Sequence, residues 1–261
     1  MKWLKRLAVL GTVAGVLIGC GPLPATALPP ATATPTATPT PTATPVWFPP
    51  TATPTPLPPT SIPTPTPALA AGAGAPLLSA PFSSGAGWFS PTGYAGRFGV
   101  ADGVLSLSTT HPRATMLVLA RNLQAFNLYL SVTAEPQVCR GNDAYGVVVR
   151  ASANGGRYYR LGLTCTGQAF VETVEGGLPV PRVTPEPGGV PAGAPLQTTL
   201  SVRAAGQTLN FAVNGQVLFT VRDDLPPYGR ELIGFFARAA STEGMIVTFR
   251  DLTVRPVLPP P

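Results

Sequence analysis

The chain of 261 residues is poor in charge, in lysine and in histidine. Charged residues are 11% of it, where a soluble domain usually has about a quarter. That is too few for a disordered chain held open by charge repulsion. The only lysines are Lys2 and Lys5, and with Arg6 they supply three of the six net positive charges. The other arginines stand singly between Arg97 and Arg255. No basic stripe or run is left to follow a phosphate backbone, which argues against nucleic-acid binding. His111 is the only histidine, and it precedes Pro112. With no G-x-S-x-G elbow in the chain, it reads as a lone surface histidine rather than as half of a Ser–His pair. No apolar run reaches the ~20 residues that a helix needs to cross a bilayer.

Proline (34) and glycine (28) are abundant instead, and they are unevenly placed. Met1 to Arg6 is basic, Leu7 to Ile18 is apolar and small, and Leu17-Ile18-Gly19-Cys20 follows. That order is the n-region, h-region and cleavage site of a secretory signal. Leu17-Ile18-Gly19-Cys20 resembles the lipobox of bacterial lipoproteins. The resemblance implies that residues 1–20 are a signal peptide and that Cys20 carries a diacylglyceryl group and becomes the mature N-terminus. Two or more acyl chains on one residue give stable membrane anchoring where one does not. The expected location is extracytoplasmic, lipid-anchored to the bacterial cell membrane or cell surface.

Residues 21–80 repeat Thr-Pro and Ala-Thr-Pro, as in Ala33-Thr34-Pro35-Thr36-Ala37-Thr38-Pro39. Proline fixes φ and removes a donor, so neither helix nor sheet can grow there. The segment reads as a disordered, Thr/Pro-rich stalk that favours polyproline II. At ~3.1 Å per residue it would reach on the order of 180 Å when fully extended. Residues 255–261 read as a Pro-rich tail.

From residue 81 to 254 the pattern changes. Short runs of apolar and β-branched residues alternate with polar ones and are divided by Gly, Asn, Asp and Pro, the form of an all-β antiparallel domain. Eleven strands are expected: Gly103–Thr109, Thr115–Ala120, Phe126–Ala134, Ala144–Ala151, Arg157–Thr164, Gln168–Val174, Gln197–Ala204, Gln207–Val213, Gln216–Val221, Leu232–Ala239 and Ile246–Val254. Glu175 to Ala194 reads as a long Pro/Gly-rich loop. Asn214-Gly215 is a strong hairpin signal, because a type I′ turn needs positive φ at both central positions. Together these predict a two-sheet antiparallel β-sandwich or jelly roll.

Tyr145-Gly146-Val147-Val148-Val149-Arg150, Tyr158-Tyr159-Arg160-Leu161-Gly162-Leu163, Leu209-Asn210-Phe211-Ala212-Val213-Asn214-Gly215 and Ile233-Gly234-Phe235-Phe236-Ala237 with Val247–Val254 resemble the concanavalin A-like lectin/glucanase superfamily. Within it they are similar to laminin-G-type and 3-keto-disaccharide-hydrolase-like domains. The resemblance implies a concanavalin A-like jelly roll and, by analogy, carbohydrate as the ligand class. Its glucanases carry Glu-x-Asp-x-x-Glu on one strand, and that pattern is absent. Glu172 and Glu175 fall on opposite faces of a straight strand. Asp223-Asp224 read as turn residues. No catalytic residue is expected. Related domains often hold calcium, for which Asn142-Asp143 and Asp102-Gly103 are the loop candidates. Turn chemistry accounts for both pairs, so no cofactor and no metal ligand is assigned.

Cys139 and Cys165 remain once Cys20 is committed to lipid. In an oxidising compartment they are expected to pair. If the strands beginning at Phe126, Ala144 and Arg157 form a meander, both cysteines fall at one edge of one sheet. On the strand from Arg157, Tyr159, Leu161 and Leu163 would face the core, leaving Tyr158 and Arg160 outside. Tyr129 and Arg150 are expected on that outer face, on neighbouring strands. Aromatic rings stack on sugars, and guanidinium groups offer a planar fork of donors. Tyr129, Arg150, Tyr158 and Arg160 are therefore the candidate ligand-binding set, against the plainer account of a solvated sheet face. The leading expectation is a non-catalytic surface lipoprotein that binds glycan or cell-wall polysaccharide. A structural or adhesive module for a surface protein, and less so a glycoside-processing enzyme, are the alternatives.

Overall fold

A computed structural model describes residues 68–224, 231–240 and 244–258. The signal segment, Cys20 and the Thr/Pro repeats to residue 67 lie outside the described residues. Fifteen strands form two antiparallel sheets. The eight-stranded sheet holds β1 (Trp88–Phe89), β4 (Thr115–Gln124), β6 (Ala144–Ala151), β7 (Arg157–Thr164), β8 (Gln168–Glu175), β9 (Leu178–Pro181), β10 (Glu186–Pro187) and β14 (Leu232–Arg238). The seven-stranded sheet holds β2 (Gly96–Ala101), β3 (Val104–Thr109), β5 (Leu128–Val138), β11 (Thr198–Ala205), β12 (Thr208–Val213), β13 (Gln216–Arg222) and β15 (Ile246–Pro256). Their spatial orders are β1-β4-β14-β6-β7-β8-β10, with β9 beside β8, and β13-β12-β11-β5-β15-β3-β2. This is the expected two-sheet jelly roll.

Alternation drives the packing. On β5, Leu128, Leu130, Val132 and Ala134 point into the core between the sheets. Tyr145, Val147 and Val149 of β6 and Tyr159, Leu161 and Leu163 of β7 meet them from the other side. Phe235 anchors an aromatic group with Phe82, Trp88 and Phe249, and its ring centroid lies 4.6 Å from that of Phe249. Trp88 satisfies its indole N–H on the Pro81 carbonyl at 2.8 Å. Asn214 and Gly215 both have positive φ, 49° and 83°, and close β12 onto β13 as a type I′ turn requires.

The extent of the folded region and its strands differs from the sequence expectation in three ways. β1 and β2 occupy a stretch where no strand was expected. The Glu175–Ala194 segment carries β9 and β10, and its Val183 and Val190 pack against the core. The folded region also starts earlier and ends later than residues 81–254. Gly74 N–H bonds to the Pro256 carbonyl at 2.9 Å and Leu77 N–H to that of Val254 at 2.7 Å, so part of the expected stalk lies along β15.

The third, fourth and fifth expected strands do not form a meander. β5 belongs to the seven-stranded sheet, while β6 and β7 pair in the other. The chain crosses between sheets after Val138. Cys139 and Cys165 do form a disulfide, with Cα atoms 5.4 Å apart. It joins the ends of β5 and β7 across the sandwich rather than along one sheet edge. Asp143, between β5 and β6, is buried and accepts backbone N–H groups of Arg140 (3.0 Å) and Ala240 (2.8 Å), one on each carboxylate oxygen.

Replacing both Cys139 and Cys165 with serine is expected to cost roughly 3 kcal/mol of stability, because the bridge closes a loop of intermediate length in the unfolded chain. A urea titration of the two forms measures it as a fall in midpoint. Unchanged midpoints would remove the disulfide as a staple of the sandwich.

Candidate functional site

The four candidate residues divide among three places. Tyr158 and Arg160 share the outer face of the eight-stranded sheet, as expected. Neither is solvated there, at 5% and 4% exposure. Tyr129 is on the outer face of the opposite sheet, because β5 is not a neighbour of β6. It is covered by Leu69 and Val257, with Ala205 and Ala212 beside it. Arg203 holds that cover down by donating to the carbonyls of Leu69 (2.9 Å) and Ala71 (2.7 Å).

Arg150 leaves the outer face through a single extra residue. Leu232 pairs with Ala151 and Gly234 with Val148, so Val149 and Arg150 together oppose Ile233. Arg150 takes φ 57°, and this bulge turns its side chain to the end of the sandwich. The buried guanidinium donates through Nη1 to the Phe126 carbonyl (2.5 Å) and Glu231 Oε2 (3.1 Å), and through Nη2 to the Gly206 carbonyl (2.8 Å). Its Nε lies 3.1 Å from Asp223 Oδ2, and its Cζ lies 3.2 Å from the centre of the Phe126 ring. Burial pulls its pKa down, and the charges of Glu231 and Asp223 oppose that shift. Asp223 and Glu231 are two buried carboxylates that converge, but on an arginine. The arrangement ties strand ends of both sheets and is not a ligand contact.

Tyr158 and Arg160 keep different company from that expected. Phe236 of β14 and Phe170 of β8 lie on the same outer face, with Leu117, Leu119, Val148 and Val174. Gly146 and Gly162 pair side by side beneath Phe236. A Cβ on Gly162 would come within 2.7 Å of Phe236 Cζ, so the ring rests on bare backbone. Phe170 meets Phe236 edge-on, with centroids 6.2 Å apart. Arg160 Cζ lies 5.7 Å from the Phe236 centroid and Arg238 Cζ 5.4 Å from that of Phe170. These distances suit cation–π attraction.

Glu172 sits opposite Arg160 in the β7–β8 register. Arg160 Nε donates to its Oε2 at 2.5 Å, and Arg238 Nη1 stops 3.9 Å from the same oxygen. The side chains of Glu172 and Arg238 are 16% and 25% exposed and form the part of the cluster that solvent reaches. Burial, then the nearby Arg160 charge, lowers the pKa of Arg238, with Glu172 and Asp143 opposing. Burial raises the Tyr158 pKa, with Arg160 opposing. The cluster can hold a polar ligand by guanidinium donors set over aromatic rings. Sequence reasoning missed Phe170, Glu172, Phe236 and Arg238. Phe170/Glu172 and Phe236/Arg238 each show i, i+2 spacing, which puts both members on one face, but nothing local brings β14 to β6.

Among the described residues no three of His, Cys, Asp and Glu gather in a way that could hold a metal ion. Asp102-Gly103 forms the β2–β3 turn, with φ 51° and 77°. His111 is exposed beside the Thr110 hydroxyl, at 2.8 Å.

No family model matches the sequence, and no curated protein matches it. Solved structures do resemble the fold. The carbohydrate binding module CBM66 from Bacillus subtilis aligns with a TM-score of 0.51 and 12% identity over 65% of this chain and 95% of that one. A Bacillus subtilis protein of unknown function with a galectin-like fold aligns with a TM-score of 0.52 and 15% identity, over 72% and 99%. A structure from work on endo-acting O-glycanases of the human gut microbiota aligns with a TM-score of 0.50 and 12% identity, over 70% and 100%. The likeness is one of fold, a two-sheet antiparallel β-sandwich.

Arg150→Met is expected to destabilise the protein by about 3–5 kcal/mol, because two carboxylates lose the cation that justifies their burial. Arg150→Lys should recover only part of the loss, since one ammonium cannot serve four acceptors in different directions. Chemical denaturation of both variants checks this, and a wild-type midpoint for Arg150→Met would dismiss the clamp.

Proposed function

We propose that this chain is a lipid-anchored, extracytoplasmic protein whose β-sandwich binds carbohydrate without catalysing its cleavage. The observation that carries the reading is the arginine–aromatic cluster on the outer face of the eight-stranded sheet. Phe170, Phe236, Arg160, Arg238 and Glu172 stand together there, on a fold matched over nearly the full length of a carbohydrate binding module. Guanidinium forks donate in a plane to sugar oxygens, and here they rest on ring faces that are themselves buried. Glycosidases use two carboxylates flanking the scissile bond. In this cluster Glu172 is one carboxylate, and Arg160 already holds it.

The address rests on sequence. The basic start, the short apolar run and Leu17-Ile18-Gly19-Cys20 support export and lipidation at Cys20. The Thr/Pro repeats support a stalk that carries the sandwich away from the membrane. The disulfide agrees with an oxidising compartment. A protein-binding role would draw on β9, where Leu178 and Val180 are 72% and 52% exposed. That strand has four residues and two prolines, Pro179 and Pro181, which leaves few donors for pairing with a partner strand.

Two measurements test the proposal. A glycan array probed with the full chain is expected to show reproducible binding to a defined polysaccharide, lost in Phe170→Ala. A blank array with folded protein would shift the reading to the protein-binding role. Expression in a bacterial host with labelled fatty acid is expected to mark the wild type and leave Cys20→Ser unlabelled and released from the membrane fraction. Equal labelling of both would reject Cys20 as the anchor.

A further inference from the structure

We propose that the outer-face cluster takes an acidic glycan, with a sugar carboxylate seated against Arg238 and Arg160. The inference rests on the carbohydrate-binding reading and narrows its ligand class.

Arg238 is the residue that points to an anion. Its Nε is buried and has no hydrogen-bond partner. Its contact with Glu172, at 3.9 Å, is too long for a hydrogen bond, and its side chain donates none among the described residues. A buried N–H without an acceptor is costly, and Nε is the Arg238 donor so placed. The one carboxylate within reach is committed to Arg160 at 2.5 Å. Both guanidinium groups thus stand at the Glu172 carboxylate. Burial and then the Arg160 charge disfavour the charged form of Arg238, and Glu172 and Asp143 offset that only in part. A ligand anion at the rim would relieve it.

Geometry favours a planar anion. Phe170 lies against Arg238, and Phe236 against Arg160, so rings cover faces of both guanidinium groups. Guanidinium edges suit the two oxygens of a carboxylate, as in fork-to-fork pairing. A neutral sugar would offer hydroxyls but would not balance the charge. Access comes from the Arg238 and Glu172 side, the partly exposed rim of the cluster.

The test uses the full chain with three polymers: polygalacturonate, the same polymer fully methyl-esterified, and poly-glutamate. The first carries sugar and carboxylate, the second sugar alone, the third carboxylate alone. Alginate, hyaluronate and a set of neutral polysaccharides complete the panel. The expected result is binding to at least one acidic polysaccharide, weakened by salt, with little binding to the ester or to poly-glutamate. Arg238→Ala should lower affinity about tenfold or more, the scale of a lost charge-assisted pair. Arg238→Lys, which retains charge and folding but loses the fork, should fall in between. Glu172→Gln should tighten binding, because it removes the carboxylate that competes for Arg160. A merely structural role for Glu172 would not have that sign.

Binding to neutral polysaccharides or to the ester as strong as to the acid, unaffected by Arg238→Ala, would overturn this inference and leave the carbohydrate-binding reading standing. Equal binding to poly-glutamate would overturn it as simple ion exchange. No binding to any polysaccharide, acidic or neutral, would overturn both readings.

Discussion

The guanidinium of Arg150 is the constraint on which one end of the sandwich depends. A charge buried this deeply is tolerated only when its donors and its sign are both answered. Four chain segments supply the answer: the Phe126 and Gly206 carbonyls and Glu231 accept from the Nη groups, and Asp223, after β13, adds its charge 3.1 Å from Nε. Three of these segments flank strands of the seven-stranded sheet, and Arg150 itself belongs to the other. The bulge that gives Arg150 its positive φ is what aims it there. The Cys139–Cys165 bridge links β5 and β7 beyond their other ends. One buried electrostatic tie and one covalent tie thus reinforce the apolar contact between the two sheets.

With the sheets held at both ends, the inner faces are mainly apolar and the outer faces diverge. The outer face of the seven-stranded sheet is covered around Tyr129 by the chain near Leu69 and Val257. The outer face of the eight-stranded sheet keeps charge on it. Gly162 lets Phe236 rest against the backbone, and that ring with Phe170 provides the platform on which Arg160 and Arg238 rest. The site is a product of small residues in two strands and large ones in two others.

Much of this was legible in the sequence. A strand alternates with period two, and that signal is local, so eight or more residues suffice to read β5, β7 or β15 and to assign Leu130 inward and Tyr129 outward. Turns are local too, as Asn214-Gly215 illustrates. β1 and β10 escaped because two residues carry no periodicity. Arg150 was misplaced because a bulge is one residue long and reverses the alternation without a compositional mark. The disulfide partners were identified correctly, although the sheet expected to hold both was not the one that formed.

The sequence by itself determined an all-β antiparallel domain, its longer strands with most of their inward and outward residues, and its cysteine pair. Each of these follows from chemistry within a strand, a turn or a composition. Only the tertiary structure decided which strands share a sheet, and with that which outward residues meet. β14 comes to lie beside β6 across more than eighty residues, and so brings Phe236 and Arg238 to Arg160 and Glu172. Antiparallel strands of similar apolar pattern can pair in many orders. The choice among them is made by the packing of whole faces and by the burial of groups such as Arg150, which no local window contains.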